Sequence, residues 1–185
     1  INWQCNAACE MCGVSRYFKE QTESRRKLLS TDELKEVLVQ IKKLGCKFIT
    51  ISGGEPTLRS DLVDLISFAS KLNIAVSLNT NGYLLDKEYL ILLARAGVKS
   101  ITFSIDSPIE HMHDEIRKLP GCYRNVSRAI DIINEMNEKG LCDIKIYINC
   151  VLMKKNINSL IEFKAFFQKH HFHHLSFIPA SIDVV

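Results

Sequence analysis

No stretch of the 185 residues approaches the roughly 18 consecutive apolar positions that a membrane-spanning helix needs, and no basic, apolar, small-residue pattern marks a signal peptide. The residues as they stand therefore offer neither a span nor an export signal. Like charges never gather into a run of five or six: 24 Lys and Arg against 21 Asp and Glu leave a formal +3, spread along the chain. Nothing in that balance calls for nucleic acid or an anionic membrane as partner. Low-complexity tracts, internal repeats and linkers are also missing. A hydrophobic fraction of 46% with 24% charge is ordinary for a folded soluble domain, which excludes disorder and fibrous structure. An initiator Met is absent, since the chain opens Ile1-Asn2-Trp3, and it closes on Val184 and Val185 straight after a strand-like stretch. One domain spanning 1–185, truncated at both ends, is the expectation.

A disulfide framework is absent as well. The seven cysteines are odd in number, three crowd into eight residues, and Cys46, Cys122, Cys142 and Cys150 are scattered. In a domain large enough to need no covalent staples, clustered thiols read as metal ligands in a reducing compartment, which places the chain in the cytoplasm.

What is present is an alternation. Phe48 to Ser52, Ile74 to Asn79, Ser100 to Ile105, Ile144 to Cys150 and Leu175 to Ile178 are apolar or β-branched and too short for helices, so they read as strands. Ile1 to Gln4 reads as the surviving end of a sixth strand that comes first. Between them lie helical patterns. Ser30 and Glu33 form a capping box for a helix of about Thr31 to Leu44; Ser60 caps one through Leu72; Asp86 caps one through Ala96 that stops at Gly97. A helix of about Tyr123 to Lys139 closes at Gly140, and Asn158 caps one through Lys169.

Strand then helix, repeated, predicts βαβ units on a parallel sheet. A doubly wound sheet would be apolar on both faces. Here one face is polar: Thr50 and Ser52; Ser77, Asn79 and Asn81; Thr102, Ser104 and Asp106; Lys145, Tyr147 and Asn149. That face reads as a lumen, with Ile49, Ile51, Ile144, Ile146 and Ile148 turned to the helices. Six strands are too few for an eight-stranded barrel. The predicted fold is an α/β partial (β/α)6 TIM-like barrel with parallel strands, open on one side.

The chemistry-bearing residues fall at the predicted strand ends, where barrel enzymes build their sites. Cys5-Asn6-Ala7-Ala8-Cys9-Glu10-Met11-Cys12 is a C-x3-C-x2-C run. Three thiolates can hold three irons of a cubane and leave the fourth open to a chelating ligand. Zinc is the competing metal; it wants a fourth ligand, and the nearest His is His111. Ser52-Gly53-Gly54-Glu55-Pro56 follows the second strand; its glycines allow close backbone approach to a ligand and Glu55 adds a carboxylate. Asn79-Thr80-Asn81-Gly82 and Ser104-Ile105-Asp106-Ser107 end the next two strands, and Asn149 and Ile178-Pro179 complete the rim.

These motifs, in this order and covering nearly the whole chain, resemble the radical S-adenosylmethionine superfamily. His113-Asp114-Glu115-Ile116-Arg117 with Pro120-Gly121 is similar to the branch of molybdenum-cofactor cyclases and peptide-modifying maturases. The resemblance implies a 4Fe-4S cluster on Cys5, Cys9 and Cys12, with S-adenosylmethionine on its open iron. It implies that Gly53, Gly54 and Glu55 hold the methionyl amino group, and that Ser104 and Asp106 contact the carboxylate or ribose. Asn81 belongs to the same set, Asn149 serves the ribose, and the backbone near Ile178 the adenine. Met11 stands where the family usually has an aromatic residue beside the adenine; Tyr147 stands where the cyclases carry a nucleotide-binding lysine. Arg117 suits a carboxylate because its guanidinium is planar. The implied activity is reductive cleavage of S-adenosylmethionine to a radical that abstracts hydrogen from a peptide or small-molecule substrate. An external electron donor of flavodoxin or ferredoxin type is its implied partner. A non-catalytic iron-sulfur module and a zinc-stabilised scaffold are the alternatives.

The remaining candidates read as structural. His170, His171, His173 and His174 read as a solvated helix end, the scattered cysteines as small buried hydrophobes or loop residues, and Trp3 as packing under the cysteine loop.

Overall fold

A computed structural model describes residues 1–14 and 28–180; Val184 and Val185 lie outside these residues. In chain order the elements are α1 (Thr31–Lys43), β1 (Phe48–Ile51), α2 (Leu62–Lys71), β2 (Ala75–Thr80), α3 (Lys87–Ala96), β3 (Val98–Ser104), α4 (Glu110–Arg117), α5 (Cys122–Glu138), β4 (Lys145–Leu152), α6 (Phe163–Lys169) and β5 (His174–Pro179). All four strand pairs are parallel and the sheet order follows the sequence, β1-β2-β3-β4-β5. With helices against one face, this is an open half-barrel, a partial TIM-like α/β fold.

Alternation within the strands decides which face is which. Val76, Leu78, Ile101, Phe103, Ile146 and Ile148 are fully buried under the helices, each contributing about 1.5–3 kcal/mol by burial. Their neighbours turn to the lumen, where Ser100 Oγ donates to Ser77 Oγ at 2.9 Å. The hydroxyl pairing lowers the cost of keeping polar groups on a half-buried face.

Capping residues place several helix ends. Glu33 N donates to Ser30 Oγ at 3.2 Å and Ser30 N to Glu33 Oε2 at 2.7 Å, so both ends of the box are made. Asp86 accepts from Tyr89 N at 2.8 Å, and Gly97, at φ +95°, takes the left-handed turn that stops α3. Ser60 does not cap α2. Asp61 occupies that position, and its carboxylate is taken by Arg59 at 2.8 and 2.6 Å and by Thr31 Oγ1 at 2.6 Å. Asn158 does not cap α6 either; a 3-10 turn over Ile157–Glu162 comes first, and Asn156 ahead of it donates its amide to Asp106 O and Val151 O. Helix α4 was not anticipated. It is largely charged, with only His113, Ile116 and Arg117 buried, and so shows no apolar period to read.

The expected sixth strand takes a different form. Ile1 to Gln4 is not a sheet strand, yet Ile1 N donates to Ser52 O at 2.6 Å, Gly54 N to Asn2 O at 2.8 Å and Glu55 N to Gln4 O at 2.7 Å. The segment runs beside the loop that leaves β1 rather than beside β1 itself. Trp3 is 47% exposed. His170 is no solvated end: it is buried, with Nδ1 2.6 Å from Asp131 Oδ1 and its ring 4.6 Å from that of Phe166.

Candidate cofactor site

At the C-terminal ends of the strands lies a cavity of about 330 Å³, a size suited to a small ligand. Cys5, Cys9, Met11 and Cys12 line it together with Gly53, Gly54, Glu55, Asn81, Ser104, Arg117, Asn149 and Ile178. Residues up to 173 positions apart in sequence thus meet at one rim. A larger depression of about 940 Å³ lies against α4, lined by Glu10, Glu110, His111, Asp114, Glu115, Lys118 and Pro120; it is open and holds no thiol.

The cysteine loop is docked by its backbone. Ala8 N donates to Arg117 O at 3.2 Å and Glu10 N to Ile116 O at 3.0 Å, so two carbonyls at the end of α4 receive partners there. Side chains add to this. Asn81 Nδ2 donates to Asn6 Oδ1 at 2.7 Å, and Lys155 bridges Glu10 at 3.2 Å and Glu115 at 2.7 Å. None of the seven cysteines is in a disulfide. Burial pushes the Cys5 thiol above its ordinary pKa against the help of the Ala7 N–H, and burial pushes Cys9 up against the nearby Arg117 guanidinium. Metal binding at these thiols is therefore coupled to proton release.

Glycine is required at 53 and 54 by the chain itself. A Cβ on Gly54 would sit 2.1 Å from Gln4 O and 2.5 Å from Trp3 O; one on Gly53 would sit 2.5 Å from Asn2 O. The backbone of residues 2–4 approaches both glycines closely, and both also line the cavity. Glu55, 1% exposed, is a hub. Its Oε1 accepts from Thr57 N at 3.1 Å, Thr57 Oγ1 at 2.6 Å and Thr80 Oγ1 at 2.7 Å, and its Oε2 accepts from Asn81 N at 2.8 Å. The carboxylate thereby ties the end of β1 to the end of β2.

Asp106 does not line the cavity. It is fully buried, its Oδ2 lies 2.6 Å from Arg117 Nε, and its Oδ1 accepts from Val151 N at 2.9 Å. The Arg117 contact is an ion pair rather than a well-aligned hydrogen bond. Asp106 touches two residues that do line the cavity, Val151 and Arg117, and Arg117 Nη1 lies 3.7 Å from Cys9 Sγ. Burial opposes the guanidinium charge, but Asp106 and the surrounding thiols carry its pKa above the ordinary value. Behind the pair, His113 Nδ1 accepts from Asp106 N at 3.2 Å; burial first, and Arg117 second, lower its pKa to about 3, so it is neutral.

The sequence profile described as the Radical SAM superfamily matches residues 4–167. This chain belongs to the radical SAM superfamily. It is 30% identical over 161 residues to the AdoMet-dependent heme synthase of Oleidesulfovibrio alaskensis, covering 85% of this chain and 39% of that protein. It is likewise 30% identical over 161 residues to the PqqA peptide cyclase of Bradyrhizobium diazoefficiens, covering 86% and 40%. Streptococcus suis SuiB bound to its precursor peptide SuiA shares the fold with a TM-score of 0.76 at 24% identity, over 97% of this chain and 38% of SuiB. The chain thus spans about two fifths of the length of the curated relatives it matches.

Radical SAM proteins use a 4Fe-4S cluster with S-adenosylmethionine, and the donor set here fits that pair. Among the described residues, no three His, Cys, Asp or Glu side chains gather round one point where a single ion would sit. Cys5, Cys9 and Cys12 line the cavity with no histidine among its lining residues, and a set of thiols alone suits an iron-sulfur cluster. Beside them the cavity offers the Arg117 guanidinium, the Ser104 hydroxyl and the Asn149 amide, the last two register partners on β3 and β4. Such a mixture suits a ligand with a carboxylate and a ribose.

Sequence reasoning missed the second rank of this radical SAM site. Asn6, Thr57 and Thr80 make the bonds that join the cysteine loop, Glu55 and Asn81. Thr80 and Asn81 carried a signal, because they sit in one strand-end motif; Asn6, lying between two of the cysteines, carried none. Ser52, Asn79 and Thr102 also line the cavity, as the polar parity of their strands implied.

Proposed function

We propose that this chain is the catalytic core of a radical SAM enzyme that acts on a peptide. The observation that carries the reading is that Cys5, Cys9 and Cys12, from one loop, face the same cavity as the Gly-Gly-Glu, Asn81 and Ser104 strand ends. When bound, the cluster and S-adenosylmethionine would supply one-electron cleavage of a carbon-sulfur bond, releasing methionine and a 5'-deoxyadenosyl radical that takes a hydrogen atom from the substrate.

The three cysteines would hold three irons. The backbone at Gly53 and Gly54, with the Oε2 side of Glu55, would receive the methionyl amino group; Arg117 and Ser104 would receive its carboxylate. Asn149 and Asn81 would orient the ribose, and Met11 with the backbone at Ile178 would flank the adenine. Asp106 serves by holding Arg117.

A peptide substrate is supported by the likeness to PqqA peptide cyclase and by the fold shared with SuiB in its complex with SuiA. A small cofactor intermediate is the second reading, favoured by the likeness to AdoMet-dependent heme synthase. The electron would come from a flavodoxin or ferredoxin type donor. No helix among the described residues is long and apolar enough to cross a membrane, and we place the enzyme in the cytoplasm. The test is Cys9→Ala after anaerobic reconstitution: iron content falls and 5'-deoxyadenosine formation under dithionite is lost. Full retention of both overturns the proposal.

A further inference from the structure

Arg117 is fixed on one side and directed at a sulfur on the other. Asp106 cannot move to release it: besides the 2.6 Å contact to Nε, its Oδ1 accepts from Val151 N, its O from Asn156 Nδ2 at 2.6 Å, and its N donates to His113 Nδ1. Asp106 is wholly buried and the Arg117 side chain is only 10% exposed. The guanidinium end nearer the thiols is Nη1, 3.7 Å from Cys9 Sγ. Arg117 also supplies O to Ala8 N, so the residue that directs a cation at the ligand also docks the loop bearing it.

We infer that Arg117, held by Asp106, raises the reduction potential of the cluster by donating a hydrogen bond to the Cys9 ligand sulfur. Reduction adds one electron and makes the cluster more negative. A donor and a positive charge at a ligand sulfur favour that form, and the low dielectric of a buried site enlarges the effect. The pair as a whole is neutral, so orientation produces the effect, with the cation near the sulfur and the carboxylate behind it. The inference rests on the reading that the three cysteines carry a 4Fe-4S cluster.

The full chain is reconstituted anaerobically with iron and sulfide and titrated with dithionite as electron donor, the reduced cluster being read by electron paramagnetic resonance. S-adenosylmethionine is left out, so a direct contact between it and Arg117 does not enter. Two variants are compared. Arg117→Gln with Asp106→Asn removes both charges and leaves no buried ion unpaired; Arg117→Lys keeps the charge but loses the planar fork. The double variant is expected to be reduced about tenfold less at a given potential, a downward shift of about 59 mV for one electron, with Arg117→Lys between it and the parent. Titrations that overlay the parent in both loaded variants overturn the inference. So does loss of the cluster from both variants while the parent retains it, since Arg117 would then act by holding the loop. A parent chain that takes up no cluster overturns the cysteine reading itself, and this one with it.

Discussion

Replacing Glu55 by Gln tests the hub that joins β1 to β2. The change preserves shape, but the carboxylate accepts four hydrogen bonds and an amide has only one acceptor atom. If the amide oxygen stays with Thr57 and Thr80, its NH2 faces the Asn81 N–H, donor against donor. An unsatisfied buried N–H costs about 1–3 kcal/mol. The three remaining bonds lose their charge assistance, and the neutral amide recovers part of that through a lower desolvation cost. A net loss of roughly 2–4 kcal/mol follows. In a domain of this size it lowers the melting temperature by about 4–16 °C. Circular dichroism melts of Glu55→Gln beside Thr80→Val measure it; the latter removes one donor to Glu55 and the acceptor of the Gly82 N–H, and should cost about 1–3 kcal/mol. The displaced Asn81 also loosens its bond to Asn6, so iron retention against a chelator falls with stability. A Glu55→Gln chain that melts within a degree or two of the parent, and no earlier than Thr80→Val, refutes the reasoning.

Two further outcomes are expected. Gly54→Ala puts a Cβ 2.1 Å from Gln4 O; residues 2–4 must move, and both stability and iron loading after reconstitution should drop, by about 3 kcal/mol for the former. His113 has a folded pKa of about 3 against an ordinary 6.5, so the unfolded chain binds the extra proton. Stability is therefore complete above about pH 6.5 and declines as pH falls toward the folded value, by about 1.4 kcal/mol per unit. Denaturant melts across that window should show a flatter acid limb for His113→Asn. Asp61, held at about 2 by Arg59, loses its contribution only below the ordinary carboxylate value of 3.8.

How much was legible depended on whether the determinant was local. Alternating residues such as Ile146, Tyr147 and Ile148 announce which face is buried, and a capping box such as Ser30 with Glu33 is complete within four positions. These gave the strands, the α1 start and the polar lumen. Strand-end motifs likewise placed Cys5, Gly53, Asn81 and Ser104 at one rim. What sequence hid was competition between distant groups. Asp61 is occupied by Arg59 and Thr31, Asn156 by carbonyls of Asp106 and Val151, and Asp106 by Arg117. Each is a polar residue engaged by a partner that the sequence pattern did not announce. Helix α4 lacked an apolar stripe because its buried side is built from His113 and Arg117 as much as from Ile116.

The main-chain docking of Ala8 and Glu10 on the carbonyls of Arg117 and Ile116 gives the thiol loop an unusual latitude. Its seat is specified by peptide N–H groups, which every residue but proline possesses. A substitution other than proline at position 8 therefore leaves both backbone bonds in place, whereas one at Glu10 keeps its N–H bond but gives up the ion pair with Lys155.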